Sequence, residues 1–293
     1  AKVQEHEAYS RPDYKIGMSS FLDIPPGVLN MPAFDGKMRM ALSMTSRPMR
    51  TLVMRACTDI TVCPAPADDL QLESLVVQLH KCCAHGLCLR RLSVAPKLSL
   101  SNVTCLGPLA ALPSSLQHLN CSGMPGVADL GPLAALTRLH SLNCSGMCSV
   151  THLGPLTALT RLQHLGCEEM PHVTDLGPLS ALTSLEYLVC SSMPYVADLG
   201  PLSTLTRLQH LGCNGMRNVT QLGPLSALTS LQRLVCGSME EVTDLRPLAA
   251  LTGLDTLDIA DMDGVTDLGP LSALNSLQRL VCACLMWVTD MRP

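Results

Sequence analysis

The chain repeats itself, and that limits what it can fold into more than any other feature. The string Leu-Gly-Pro-Leu, or a near copy, begins at Leu106, Leu130, Leu153, Leu176, Leu199, Leu222, Leu245 and Leu268, with a truncated start at Met291. The first step is 24 residues, the extra one lying in Pro113-Ser114-Ser115, and every later step to Leu268 is 23. One unit reads Leu228-x-x-Leu231-x-x-Leu234-x-Cys236-x-x-Met239-x-x-Val242-Thr243-Asp244-Leu245-x-Pro247-Leu248. Around Leu234 and Cys236 apolar and variable residues alternate, as in a strand with one buried face. Pro247 lacks the N–H that strand pairing needs and suits the first turn of a short helical segment. Asp244, just upstream, is placed to accept hydrogen bonds from the free amides there. A unit this small cannot bury its own apolar face, so the units must stack.

Composition fits a stack better than a globule. Among 293 residues there are two Phe, four Tyr and one Trp, so the core must be Leu, Val, Met and Cys. No apolar run is long enough to span a membrane, and no membrane insertion is expected. A formal net charge of −4 argues against a nucleic-acid partner held by phosphate contacts. The fifteen Cys are odd in number and no signal peptide opens the chain, so a reducing, cytoplasmic location is expected. The sequon-like triplets at Asn102, Asn120, Asn143 and Asn218 would matter only on secretion.

The repeat grammar resembles the leucine-rich repeat family over roughly residues 49–293. The subtype looks mixed. Cys236-x-x-Met239-x-x-Val242-Thr243-Asp244 resembles the cysteine-containing type, with Met where that motif has Cys. The Leu-x-Pro-Leu segment looks more like internalin-like or SDS22-like repeats, and the wording also resembles leucine-rich repeat proteins of protozoan parasites. The resemblance implies an α/β fold, a right-handed solenoid with a concave parallel sheet and short helical or 3₁₀ convex segments. It also implies protein–protein interaction, and through the cysteine-containing type a substrate-recruiting, ubiquitin-ligase-adaptor-like role beside a catalytic domain elsewhere. A structural subunit of a large assembly is the other alternative.

Three regions follow: 1–48, an N-terminal cap or partly disordered lead-in; 49–105, irregular repeats; and 106–293, regular repeats that stop inside a unit. That stop implies a natural chain that continues, or an end covered by another chain. Asp69 to Cys83 reads as an amphipathic helix with Leu72, Leu75, Val76 and Leu79 on one face and Gly86 as its stop. Strand centres are expected at Leu52, Leu92, Leu119, Leu142, Leu165, Leu188, Leu211, Leu234, Leu257 and Leu280. At about 4.8 Å per strand they form a sheet of roughly 45 Å.

Candidate chemistry reduces to packing. Cys121, Cys144, Cys167, Cys190, Cys213, Cys236 and Cys282 share one slot, with Ile259 in the missing rung. Ile can replace only packing, so the column reads as small buried apolar groups rather than a metal stack or redox ladder. The Met column, Met124 to Met262, reads as core, and its turns need another source of hydrogen bonds than a side chain at that slot. His80 to Cys88 holds metal-ligand residue types without a second pair at zinc spacing. His164 and His210 lie two strands apart, about 10 Å, too far to share a zinc. Asp261-Met262-Asp263-Gly264 lacks the remaining ligands of a calcium loop. No catalytic motif is present, so no enzyme, cofactor or metal is expected.

What remains is a face. The slots flanking each strand Leu offer Tyr187, His210, Arg233 and Arg279 on one side and Val189, Val235, Asp258 and Val281 on the other. Tyr and Arg beside an apolar strip are the composition of an interface centre, so another protein is the expected partner. Trp287 is added as an anchor. Residues 153–198 and 199–244 are near copies, identical at 33 of 46 positions, and the differences spare the recurring Leu, Cys, Met and Val.

Overall fold

The computed structural model describes residues 59–61, 69–84, 88–94 and 102–283. Region 1–48 and Gly86 lie outside them. Their architecture is set by a simple spacing rule. In one unit the buried positions are Leu130, Leu133, Leu136, Leu139, Leu142, Cys144, Met147 and Val150, none more than 6% exposed. Each is three residues after the last, except the step of two from Leu142 to Cys144. The step of two is the period of a strand, and the steps of three are the period of a 3₁₀ turn. The chain therefore turns its apolar residues inward all the way round a flattened coil.

The backbone follows the same count. Leu133 N–H donates to the Leu130 carbonyl, Leu136 to Leu133 and Leu139 to Leu136, at 2.9, 2.9 and 3.0 Å. Eight five-residue 3₁₀ segments result among the described residues, from Gly107–Ala111 to Gly269–Ala273, each with Pro near its start. The convex segments are thus 3₁₀ rather than α. The lone α-helix described, α1 (Asp69–Ala84), occurs where the apolar spacing is three, one and three. Leu72, Leu75, Val76 and Leu79 are its buried face, between 0% and 5% exposed. Asp69 at its first turn accepts from the Thr104 and Cys105 amides and the Thr104 hydroxyl at 2.7–3.0 Å, tying α1 to the next repeat.

Among the described residues, ten three-residue strands form one parallel, unclosed sheet in chain order: β1 (Asp59–Thr61), β2 (Arg91–Ser93), β3 (His118–Asn120), β4 (Ser141–Asn143), β5 (His164–Gly166), β6 (Tyr187–Val189), β7 (His210–Gly212), β8 (Arg233–Val235), β9 (Thr256–Asp258) and β10 (Arg279–Val281). The strand centres agree with expectation from Leu92 onward. Leu52 lies outside the described residues, and Ile60 is the residue paired with Leu92. The α-helix explains the longer first step, because at about 1.5 Å per residue it needs more chain than a 3₁₀ turn to cover the same edge. The result is a right-handed leucine-rich-repeat solenoid.

The turns leaving β3 to β9 each hold a residue of positive φ immediately before the buried Met. Gly123, Gly146 and Gly215 take it at φ 74–77°, and Glu169, Ser192, Ser238 and Asp261 at φ 55–61°. The Met column, 0% exposed throughout, offers no side-chain donor there. In three of these turns the Oδ1 of Asn120, Asn143 or Asp258 accepts the amide two residues on at 3.0–3.1 Å, and in all seven the amide before the Met donates to a backbone carbonyl of the next repeat. The Cys column is packing: Cys121 to Cys236 are 0% exposed, as is Ile259 in the same slot. Among the described residues no helix is long and apolar enough to cross a membrane.

Candidate functional site

Strands β2 to β9 bury their central Leu and turn the flanking residues toward the other face, while Leu280 of β10 is 41% exposed. Register then decides which of these meet. The pairing Tyr187↔His210↔Arg233↔Thr256↔Arg279 makes one row across β6 to β10. Val189↔Gly212↔Val235↔Asp258↔Val281 makes a second row beside it. Eight of the nine residues singled out from sequence therefore share two neighbouring rows of the concave face. Trp287 lies outside the described residues.

Contacts within the rows are specific. The Tyr187 and His210 rings stack with centroids 4.3 Å apart and planes 6° from parallel. His164 stands on the other side of Tyr187, tilted by 31° at 6.0 Å. In the second row Val189 lies over Gly212, where a Cβ would meet Val189 Cγ1 at 2.9 Å. The two residues pack because β7 carries no side chain at that point.

A shallow depression of about 250 Å³ lies here, lined by His164, Glu186, Tyr187, Gln209, His210, Gln232, Arg233 and Asp255. Half of its lining comes from a third row, Glu186, Gln209, Gln232 and Asp255, which attention to the slots directly flanking the strand Leu had missed. The signal was available: these slots sit one residue earlier and are equally free of the repeat's apolar requirement. The row begins each strand, with Gln209 and His210 both donating to the Glu186 carbonyl, at 2.8 and 3.0 Å.

The electrostatics suit recognition of polar groups. Burial, with the nearby Arg233 charge second, pushes the His210 imidazolium down to about 4, so the ring is neutral near pH 7. His118, further along, is lowered mainly by burial and then by Arg91. Glu186 is paired with Arg207 at 3.4 Å, whereas Arg233 is exposed and has no carboxylate within ion-pair reach among the described residues. Glu168, on the far side of the sheet, is raised chiefly by burial and then by Glu169.

The other candidates stay apart from this depression. Among the described residues no three of His, Cys, Asp and Glu cluster as metal ligands would. Asp261 and Asp263 flank a fully buried Met262. The thiols from Cys121 to Cys236 in the column are free and enclosed, and burial drives them far from reactivity, with Cys144 and Cys236 pushed up to about 12.

No family model matches the chain, and no curated protein matches it either. Solved structures do. An internalin (inlF) of Listeria monocytogenes aligns over 78% of this chain and 88% of its own, at 20% identity and a TM-score of 0.53. Internalin C2 of the same organism aligns over 75% of this chain and 93% of its own, at 23% identity and a TM-score of 0.58. At these identities the likeness is one of fold: both share the leucine-rich-repeat solenoid.

Proposed function

We propose that the chain is a non-catalytic scaffold that binds another protein on the concave face of its solenoid, with β6 to β8 at the centre. The observation that supports this most directly is the row Tyr187–His210–Arg233. It sets a stacked aromatic pair and a free guanidinium side by side on a rigid sheet. Rigid aromatic and Arg groups in a depression concentrate binding energy because little side-chain entropy is lost on contact. The absence of any nucleophile–base–orienter arrangement in the two rows is in keeping with binding rather than chemistry. A reducing, cytoplasmic setting belongs to the same proposal, supported by a thiol in nearly every rung where disulfide geometry has no place.

The test is affinity capture from the native source, comparing the wild-type chain with a Tyr187→Ala/Arg233→Glu/Arg279→Glu variant whose fold is verified by circular dichroism. Loss of a partner with the variant alone supports the concave face. Equal retention moves the interface to the convex side or the ends of the solenoid.

A further inference from the structure

The sheet is electrically polarised across its width, and the polarity selects the kind of segment that can lie on it. Along the edge where the strands begin, the register row runs Arg91, His118, Ser141, His164, Tyr187, His210 and Arg233. Just outside that row, one slot of four successive turns reads Arg138, Arg161, Ser184 and Arg207. The Arg207–Glu186 pair, at 3.4 Å, shows that this slot reaches the start of the preceding strand. The repeat puts Arg161 in the corresponding place beside His140, and Arg138 beside Gln117, so neither has the carboxylate that Arg207 has. Arg138, Arg161 and Arg233 are exposed, with no carboxylate in ion-pair range among the described residues. On the opposite edge, where the strands end, Glu168, Glu169, Glu240, Glu241 and Asp261 outnumber Arg217, which is paired with Glu240 at 3.5 Å. The overall charge of −4 therefore hides a basic edge and an acidic edge on one face.

We propose that the strand-start edge docks a carboxylate-bearing segment of a partner protein, laid along Arg138, Arg161 and Arg233. The inference rests on the concave-face reading and names the chemistry of its partner. Arg138 and Arg161 lie one strand apart, about 5 Å, and Arg233 three strands beyond Arg161, about 14 Å, so they complement carboxylates spaced along an extended segment, and Arg offers each carboxylate two parallel donors. A nucleic acid fits less well, because a strand carrying one charge per nucleotide would have to avoid Glu186, Asp255 and the acidic edge that share the face. A protein segment can be acidic where it meets the arginines and neutral or basic where it crosses to the far edge.

Fluorescence anisotropy on the full chain tests this with three labelled probes: an octaglutamate peptide, an octalysine peptide and an octathymidylate. Octaglutamate should bind at least about tenfold tighter than octalysine at about 50 mM salt, and the preference should fade at about 500 mM. Arg138→Glu/Arg161→Glu should weaken octaglutamate by about tenfold or more, and the milder Arg138→Gln/Arg161→Gln by about threefold. Glu169→Lys, on the other edge, should leave its affinity within about twofold. Equal binding of the two peptides, or full retention by the charge-reversed chain with an unaltered melt, overturns the proposal. Octathymidylate binding tighter than octaglutamate overturns it in favour of nucleic acid. A native partner lost with the Tyr187 triple variant but indifferent to Arg138→Glu/Arg161→Glu leaves the concave-face reading intact and refutes the acidic-segment assignment alone.

Discussion

Among the described residues two repeats lack a bond that five others make with Asp and a sixth makes with Cys105 Sγ, and supplying it should stabilise the solenoid. Asp129, Asp175, Asp198 and Asp267 each accept the amide of the Gly two residues on, at 2.6–2.7 Å, and Asp244 accepts that of Arg246 at 2.9 Å. The bond satisfies one of the amides left over at the start of each 3₁₀ segment. His152 and Gln221 occupy the same slot, and neither bonds to Gly154 or Gly223. Space is open there, with nothing within 4 Å of the Cβ position at either glycine. His152→Asp and Gln221→Asp should each add about 0.5–1 kcal/mol, at the low end of capping effects because the site is exposed. The two sites lie three repeats apart, so the gains should add. Asp198→Ala should cost about 1 kcal/mol in the same terms. With a urea slope of about 3 kcal/mol/M for a chain of this size, each change moves the midpoint by about 0.2–0.3 M at constant slope. Asn at both positions should recover most of the gain, since the bond and not the charge carries it. The reasoning is refuted if Asp198→Ala lowers the midpoint while neither addition raises it, because the five bonds would then reflect something other than capping.

The enclosed thiols should resist alkylation at pH 8. With Cys144 and Cys236 pushed up to about 12 by burial, their thiolate is roughly a thousandfold scarcer than at an open site. Peptide-resolved labelling should find exposed Cys105 first, and rapid modification of the column would contradict its burial. Cys213→Ser should be clearly less stable than Cys213→Ala, by about 1–2 kcal/mol, because it buries a hydroxyl in a slot that Ile259 shows to be apolar. A melt in which the two coincide would mean that the slot admits a polar partner. His210 should titrate near 4 by NMR. Its folded value lies below the unfolded one, so the unfolded chain takes up the proton first, and this residue's share of stability falls as pH drops from about 6.5 to 4 and is flat below. An imidazole titrating near 6.5 would show that the stack on Tyr187 is open to water.

Most of the fold was legible because the repeat states its own geometry. Steps of three and a single step of two give turn, turn and strand without any reference to a neighbour. Ile60, rather than Leu52, is the partner of Leu92 for a physical reason. The stretch from Leu52 to Thr61 carries an apolar pattern that fits the repeat in more than one frame, and only pairing against Leu92 selects Ile60. The choice between α and 3₁₀ was open for a similar reason, since a five-residue segment is too short for its period to show until its hydrogen bonds are seen. The source of the turn bonds needed three-dimensional geometry, because the amide before each Met donates to a carbonyl of the next repeat and only Asn120, Asn143 and Asp258 add a side-chain acceptor.

The depression on the concave face was harder to read because it is assembled from the divergence of equal parts. Its lining pairs residues one duplication apart: His164 with His210, Glu186 with Gln232, and Tyr187 with Arg233. The histidines are unchanged between the copies, while the acid became an amide and the phenol a guanidinium, or the reverse. Each change sits on an outward slot, so none disturbs the Leu, Cys or Met on which stacking depends. In a solenoid whose stability is a sum over neighbouring repeats, such changes cost little stability wherever they fall. Sequence can therefore mark all outward slots as free to vary but cannot rank them. Register ranks them, because it brings Tyr187 of one copy against His210 of the next at 4.3 Å, and the site lies across the seam of the duplication rather than within either half.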